Sequence, residues 1–281
     1  LTDENTKKLE EVMSEQSVRG KVLAVTSGKG GVGKTNIVAN LSICLAVSGK
    51  KVVAMDADLG LGNLDVVMDI SCKSNLGHVI SGQKSLEEII QVGPGGVDVI
   101  CGGSGIEELA NLNKFQRQRL LEELDGIQKN SDLIIIDNGA GISSSVVSFC
   151  LAADHTLVVT TPEPSAMTDA YAMIKVLAAH DYDGRISLVV NMARSVSEGK
   201  RVYRQISDVA MRFLDIPVYE AGVLCRTDKL VSAVRKRKPV VLAYPRSGIT
   251  SSIGAMAARL SRGAAVKTKE GFFKRVANLF S

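Results

Sequence analysis

A chain of 281 residues that is 45% apolar, carries a net charge of +4 and holds no run of 18 uninterrupted apolar residues can bury one large core and excludes a membrane-spanning helix. The charge is uneven: residues 226–281 hold 13 Lys/Arg against Asp228 and Glu270, a balance of +11, which leaves −7 on the first 225 residues. A basic end of this kind suits an anionic surface, and on charge alone lipid and nucleic acid both qualify.

The chain opens with residues 1–20, where Asp3-Glu4-Asn5-Thr6-Lys7-Lys8-Leu9-Glu10-Glu11-Val12-Met13 reads as a short charged helix outside the domain, without the apolar stretch of a signal peptide. Residues 21–27 read as a strand and residues 35–48 as a helix, with Ile37, Leu41 and Leu45 on one stripe. Between them lies Gly28-Lys29-Gly30-Gly31-Val32-Gly33-Lys34-Thr35, followed by Asn36. Strand, glycine-rich loop, Lys-Thr and helix in that order make a phosphate loop. Its glycines let backbone N–H groups close around phosphate oxygens, and the helix N-terminus adds positive potential. Lys34 neutralises the terminal phosphates and the Thr35 hydroxyl is a Mg²⁺ ligand.

Further strands are expected at residues 51–56, 97–101, 132–137, 155–161, 186–191 and 217–223, and helices at 85–91, 113–129, 143–152, 166–180, 199–214, 228–236 and 249–262. Continuous Val/Ile/Leu strands alternating with helices predict an α/β domain over residues 21–262, a mainly parallel sheet with helices on both faces. Ligands of such sheets sit beyond the carboxyl ends of the strands. Chemistry recurs there: Asp56-Ala57-Asp58-Leu59-Gly60-Leu61-Gly62-Asn63 after the second strand, Asp137-Asn138-Gly139-Ala140-Gly141 after Ile134-Ile135-Ile136, and Asn191-Met192 after the sixth. A carboxylate at a mobile strand end is placed to orient an attacking water, and four apolar residues before Asp137 form a Walker B strand that delivers it to Mg²⁺. An amide such as that of Asn191 both donates to and accepts from an adenine edge, which favours ATP over GTP. Cys44, Cys72, Cys101, Cys150 and Cys225 are scattered singly, which suits reduced core residues in a cytoplasmic protein, and His78, His155 and His180 lack metal spacing.

After a linker at residues 263–269, Phe272, Phe273, Val276, Leu279 and Phe280 fall on one helical face, with Lys274, Arg275 and Asn278 on the other. An apolar face with a basic flank describes an interfacial membrane helix. The same pattern also fits a docking helix that covers an apolar groove of its own domain, and the two states can alternate in one molecule.

Lys29, a second lysine early in the loop, carries a resemblance to the deviant Walker A class of MinD, ParA and nitrogenase iron protein. The resemblance implies an ATP-dependent homodimer with Mg²⁺ and ATP as cofactors. In it Lys29 reaches the partner's nucleotide, Lys34 serves its own, Asp58 positions water, and Asp56 holds the loop or the Mg²⁺ shell. Asn191 with Met192 and Asn63 lies at the nucleotide. Asn36 and Asn138 depart from the Thr or Ser, and the Thr or Pro, common in the class.

Residues 56–63 (Asp56-Ala57-Asp58-Leu59-Gly60-Leu61-Gly62-Asn63), residues 135–142 around Asp137-Asn138-Gly139-Ala140-Gly141, residues 159–171 with Thr161-Pro162-Glu163-Pro164, and Asn191-Met192-Ala193-Arg194 narrow the resemblance to the FlhG (FleN, YlxH) group of MinD-like flagellar number regulators. That implies a slow, partner-stimulated ATP hydrolase that cycles between cytoplasm and membrane and controls flagellar number or placement. An FlhF-like GTPase and flagellar switch proteins are its implied partners, and nucleic acid is not. A division-site MinD and a DNA-binding ParA-type partition ATPase are the rival readings. An iron–sulfur carrier would need the paired cysteines this sequence lacks.

Overall fold

In the computed structural model, residues 19–58, 62–102, 114–262 and 270–279 are described. The elements run β1 (Lys21–Ser27), α1 (Lys34–Val47), β2 (Val52–Ala57), α2 (Leu64–Met68), α3 (Leu76–Ile80), α4 (Leu86–Ile89), β3 (Gln91–Val92), β4 (Asp98–Ile100), α5 (Lys114–Asn130) and β5 (Leu133–Ala140). There follow α6 (Ser144–Ala152), β6 (His155–Thr160), α7 (Pro164–Ala179), β7 (Arg185–Ala193), α8 (Val196–Leu214), β8 (Val218–Cys225), α9 (Asp228–Arg235), α10 (Val240–Ala243), α11 (Gly248–Arg262) and α12 (Phe272–Leu279).

One eight-stranded sheet has the order β3-β4-β2-β5-β1-β6-β7-β8, parallel except for the β3/β4 edge. Successive residues of a strand point to opposite faces, and here both faces are dry. Val22, Ala24, Ile134 and Ile136 pack with α5, α6, α7 and α8, whereas Leu23, Val25 and Ile135 pack with α1, α2, α10 and α11. This is why the strands read as unbroken apolar runs. β1 lies between β5 and β6, and β2 lies beyond β5. Chain direction outward from β1 therefore reverses beside the phosphate loop, which sets the ligand crevice there.

One expectation is corrected. Cys72, in the loop after α2, and Cys101, at the end of β4, are disulfide-bonded with Cα atoms 6.2 Å apart, because β4 and that loop converge beside β2. The C-terminal helix forms where its periodicity places it and is docked on its own domain, the second of the two seats its pattern allows. It lies on α5 and α6, with Phe272, Phe273 and Val276 buried in the same core cluster as Phe149. The Phe272 ring stands 6.1 Å from Phe149 and 4.9 Å, edge to face, from Phe273. The charged segment before residue 19, the linker at 263–269 and Phe280 lie outside the described residues. Among the described residues no helix is long and apolar enough to cross a membrane.

Candidate functional site

The loop between β1 and α1 turns through Gly31 (φ 77°) and Gly33 (φ 92°), left-handed positions that glycine adopts without the steric cost of a Cβ. No side chain caps the N-terminus of α1. Its first-turn N–H groups therefore face the loop cavity with the positive end of the helix dipole, an arrangement that suits phosphate. Lys34 is buried, which lowers its pKa, while Asp137 and Asp58 nearby pull it back up.

Asp56 and Asp137 are register partners at the ends of the paired strands β2 and β5. Burial pushes Asp137 up to about 7 and the Asp56 charge adds to it, whereas the Thr35 hydroxyl and Lys34 oppose the shift. Asp56 is pushed up to about 6, chiefly by burial, against hydrogen bonds from Leu64 N (3.2 Å) and Asp58 N (3.0 Å). Two adjacent buried carboxylates with raised pKa values create a demand for positive charge. Asp137 Oδ1, moreover, is buried without a hydrogen-bond partner. An orphaned carboxylate oxygen beside Thr35 and a phosphate-binding loop fits Mg²⁺, which takes one or two protein oxygens and completes its octahedron with phosphate and water. Among the described residues no three His, Cys, Asp or Glu side chains converge to hold a metal.

Asp58 sits at the open edge of the site, and a Cβ added at Gly139 would lie 3.8 Å from its carboxylate. The segments that follow β2 and end β5 thus meet across Asp58 and Gly139. Asn63 is the N-cap residue of α2, and its carbonyl accepts from Val67 N at 3.0 Å. Asn36 lies in the first turn of α1 and accepts from Asn40 Nδ2 at 2.7 Å. Asn191 reaches back to the phosphate loop, donating from Nδ2 to Val32 O at 2.8 Å and accepting from Met192 N at 2.9 Å. Met192 itself takes φ 56°, a left-handed conformation sparsely used by methionine. Such strain is characteristic of ligand-facing turns.

Lys29 is turned onto its own subunit. Its Nζ donates to Glu163 Oε2 at 3.2 Å and Ser165 Oγ at 3.0 Å. Sequence reasoning left Glu163 and Ser165 without a role, although a glutamate fixed between Pro162 and Pro164 at the start of a helix is a rigid place to seat a cation. At the other end of the chain, Arg275 does not flank the apolar face toward headgroups as expected. Its Nη2 meets Asp154 Oδ1 at 3.3 Å, and the Asp154 side chain is fully buried. Lys274, Asn278 and Leu279 are exposed. The basic excess also sits elsewhere: six of the 13 Lys/Arg fall at residues 226–238, on α9 and its flanks.

A sequence-family profile described as an AAA domain matches residues 20–188. The chain is 39% identical to the antiactivator FleN of Pseudomonas aeruginosa over 85% of its own length and 86% of that protein's. It is 36% identical to the flagellum site-determining protein YlxH of Helicobacter pylori, over 91% and 89%. Its fold superposes on the MinC:MinD cell division complex of Aquifex aeolicus with a TM-score of 0.71 and 27% identity, covering 89% of this chain and 99% of that one. A profile spanning more than half the chain and relatives matched along most of their length agree with the loop, the carboxylate pair and the early lysine: this chain belongs to the MinD/ParA family of P-loop ATPases.

Proposed function

We propose that this protein is an ATP-driven dimerisation switch that engages the inner face of the cell membrane and regulates flagellar number or placement. The observation that carries the nucleotide half is the pair Asp56 and Asp137 at adjoining strand ends, with Thr35 and Lys34 against Asp137 and an uncapped helix N-terminus above the loop. The flagellar assignment is supported by the likeness to FleN and YlxH.

In this reading Gly30, Gly31, Val32, Gly33 and Asn36 surround the phosphates of ATP with backbone donors, and Lys34 neutralises them. Thr35 and Asp137, with Asp56 beside them, would hold Mg²⁺, which would supply charge neutralisation at the transferring phosphoryl group. Asn191 keeps one amide hydrogen and one lone pair for the adenine edge, beside Met192, and Asn63 lies at the mobile edge of the nucleotide. When a second copy closes face to face, Lys29 leaves Glu163 and Ser165 for the partner's nucleotide. Asp58 orients the attacking water for a slow, partner-stimulated hydrolysis that resets the pair.

The C-terminal helix has two alternative seats. Phe272, Phe273 and Val276 occupy its own groove, and the same face with Leu279 and Phe280 enters the lipid interface, Lys274 and Arg275 meeting anionic headgroups. One short helix binds lipid marginally, whereas two on one dimer gain effective concentration. An FlhF-like GTPase and flagellar switch proteins are the proposed partners.

Asp58→Ala should keep ATP binding, hydrolyse at least about 100-fold more slowly and accumulate as a dimer; a variant that binds ATP yet stays monomeric overturns the assigned role. Phe273→Asp should abolish ATP-dependent pelleting with anionic liposomes. Unchanged pelleting would remove the membrane step, and strong salt-sensitive DNA binding would favour the partition reading.

A further inference from the structure

We infer that the chain entering β1 and the C-terminal helix form one cooperative unit, clasped by Asp125, Gln128 and Asp154, so that drawing Arg19 off its seat loosens the helix. Gln128 and Asp154 each bond a group from both ends of the domain, and Asp125 bonds Arg19 and Lys129 while Gly271 packs on it. Gln128, 1% exposed, donates from Nε2 to Gly20 O at 3.0 Å and accepts at Oε1 from Phe272 N at 2.9 Å. Asp154 accepts from Val22 N at Oδ2 (2.8 Å) and from Arg275 at Oδ1 (3.3 Å). Asp125 pairs with Arg19 at 2.6 Å, and Gly271 packs against that pair so closely that a Cβ there would overlap both Asp125 Oδ1 and Arg19 Nη1.

Buried polar side chains are costly to leave half paired. When the helix leaves, Gln128 Oε1 loses Phe272 N and Asp154 Oδ1 loses Arg275, and the side chains that fix Gly20 and Val22 lose contacts that orient them. When Arg19 leaves, the floor under Gly271 goes with it. A coupling of this kind is reciprocal by thermodynamic necessity: whatever factor one end imposes on the opening of the other is returned unchanged.

The consequence concerns input. Arg19 continues directly from residues 1–18, so a protein that engages the chain ahead of β1 and recruits Arg19 has a route to the C-terminal helix that bypasses the nucleotide. Only the final step, from a loosened helix to lipid, rests on the membrane reading proposed above.

Hydrogen exchange read by mass spectrometry on the full chain, without nucleotide or lipid, tests the clasp. Phe273→Asp should raise exchange about tenfold at residues 272–279 and also at the Gly20 and Val22 amides, the size expected for losing one or two buried hydrogen bonds. Arg19→Ala and Gly271→Ala should raise exchange at residues 272–279 by a similar factor. The inference is overturned if Phe273→Asp opens the helix while Gly20 and Val22 keep their wild-type rates, or if Arg19→Ala leaves residues 272–279 fully protected. Failure of the wild-type chain to pellet with liposomes and ATP would instead sink the membrane reading and leave the exchange coupling standing.

Discussion

The nucleotide end and the C-terminal helix treat buried charge in opposite ways. At the strand ends Asp137 keeps an oxygen without a partner, and both Asp56 and Asp137 are held at raised pKa by burial, Asp137 by the Asp56 charge as well. Beneath the helix, Asp154 takes Val22 N on one oxygen and Arg275 on the other, and Gln128 is paired at both ends of its amide. The first region is under-satisfied and gains by binding a cation and phosphates. In the second, the Gln128 amide and both Asp154 oxygens are paired and Arg275 Nε is left over, so the carboxylate and amide gain little from a new ligand and the helix rests there until something disturbs it. A switch needs both: a site with binding free energy to release, and a latch on which that energy is used.

The largest effect should fall on the nucleotide end alone. Lys34→Ala should lower phosphate release by at least about 100-fold in a steady-state assay, while residues 272–279 stay as protected from exchange as in the wild type. Loss of that protection would mean the two regions are not separable.

Phe149→Ala acts from the other side. It removes a buried ring from beneath Phe272 without touching a residue assigned to lipid, at a cost of about 3–5 kcal/mol if the helix stays seated. Because the helix can leave its groove, the melting temperature should fall by less than that cost implies. Nucleotide-free protein should then pellet with anionic liposomes, and continued ATP dependence would contradict the latch.

The carboxylate pair predicts a smaller, pH-dependent effect. Its folded-state pKa values, about 6 for Asp56 and about 7 for Asp137, lie above the ordinary 3.8, so the nucleotide-free fold binds protons that the unfolded chain releases. The stability this provides is fully present below about pH 4 and is lost as pH rises through about 6 to 7. Melting temperature without nucleotide should therefore decline across that window. Asp137→Asn should flatten most of the decline, and saturating Mg²⁺·ATP should do so in the wild type. A decline unchanged by Asp137→Asn would assign it to other groups.

Glu163→Gln should have the smallest effect. The Lys29–Glu163 pair is exposed on both sides, 43% and 58%, and pairs of that kind contribute at most about 1 kcal/mol. Dimer formation with ATP should become easier by no more than about fivefold, measured as a shift in the midpoint of a concentration series.

Much of this was legible in the sequence because the information is local. The phosphate loop, the Asp-x-Asp strand end and the apolar strand before Asp137 each fit within about a dozen neighbouring residues, and strands buried on both faces announce a parallel sheet by composition. Elements of two to five residues, such as α2, α3, α10 and β3, are too short to display a period and were not foreseen. Contacts that span the chain were hidden for a different reason. An amphipathic face states that something apolar covers it, but not whether that is lipid or α6, and only the tertiary fold brings Arg275 to Asp154 or Lys29 to Glu163. The cysteines mislead in the same way, since 29 residues separate Cys72 from Cys101 and no spacing rule joins them.

In the proposed cycle, nucleotide pairs two copies and that pairing unseats the C-terminal helix. Sedimentation velocity with and without Mg²⁺ and a non-hydrolysable ATP analogue, followed by exchange at residues 272–279 on the same samples, tests it directly. The account predicts a twofold rise in mass with the analogue, accompanied by loss of protection in that helix. An unchanged mass, or a dimer whose helix stays as protected as in the free chain, would contradict it.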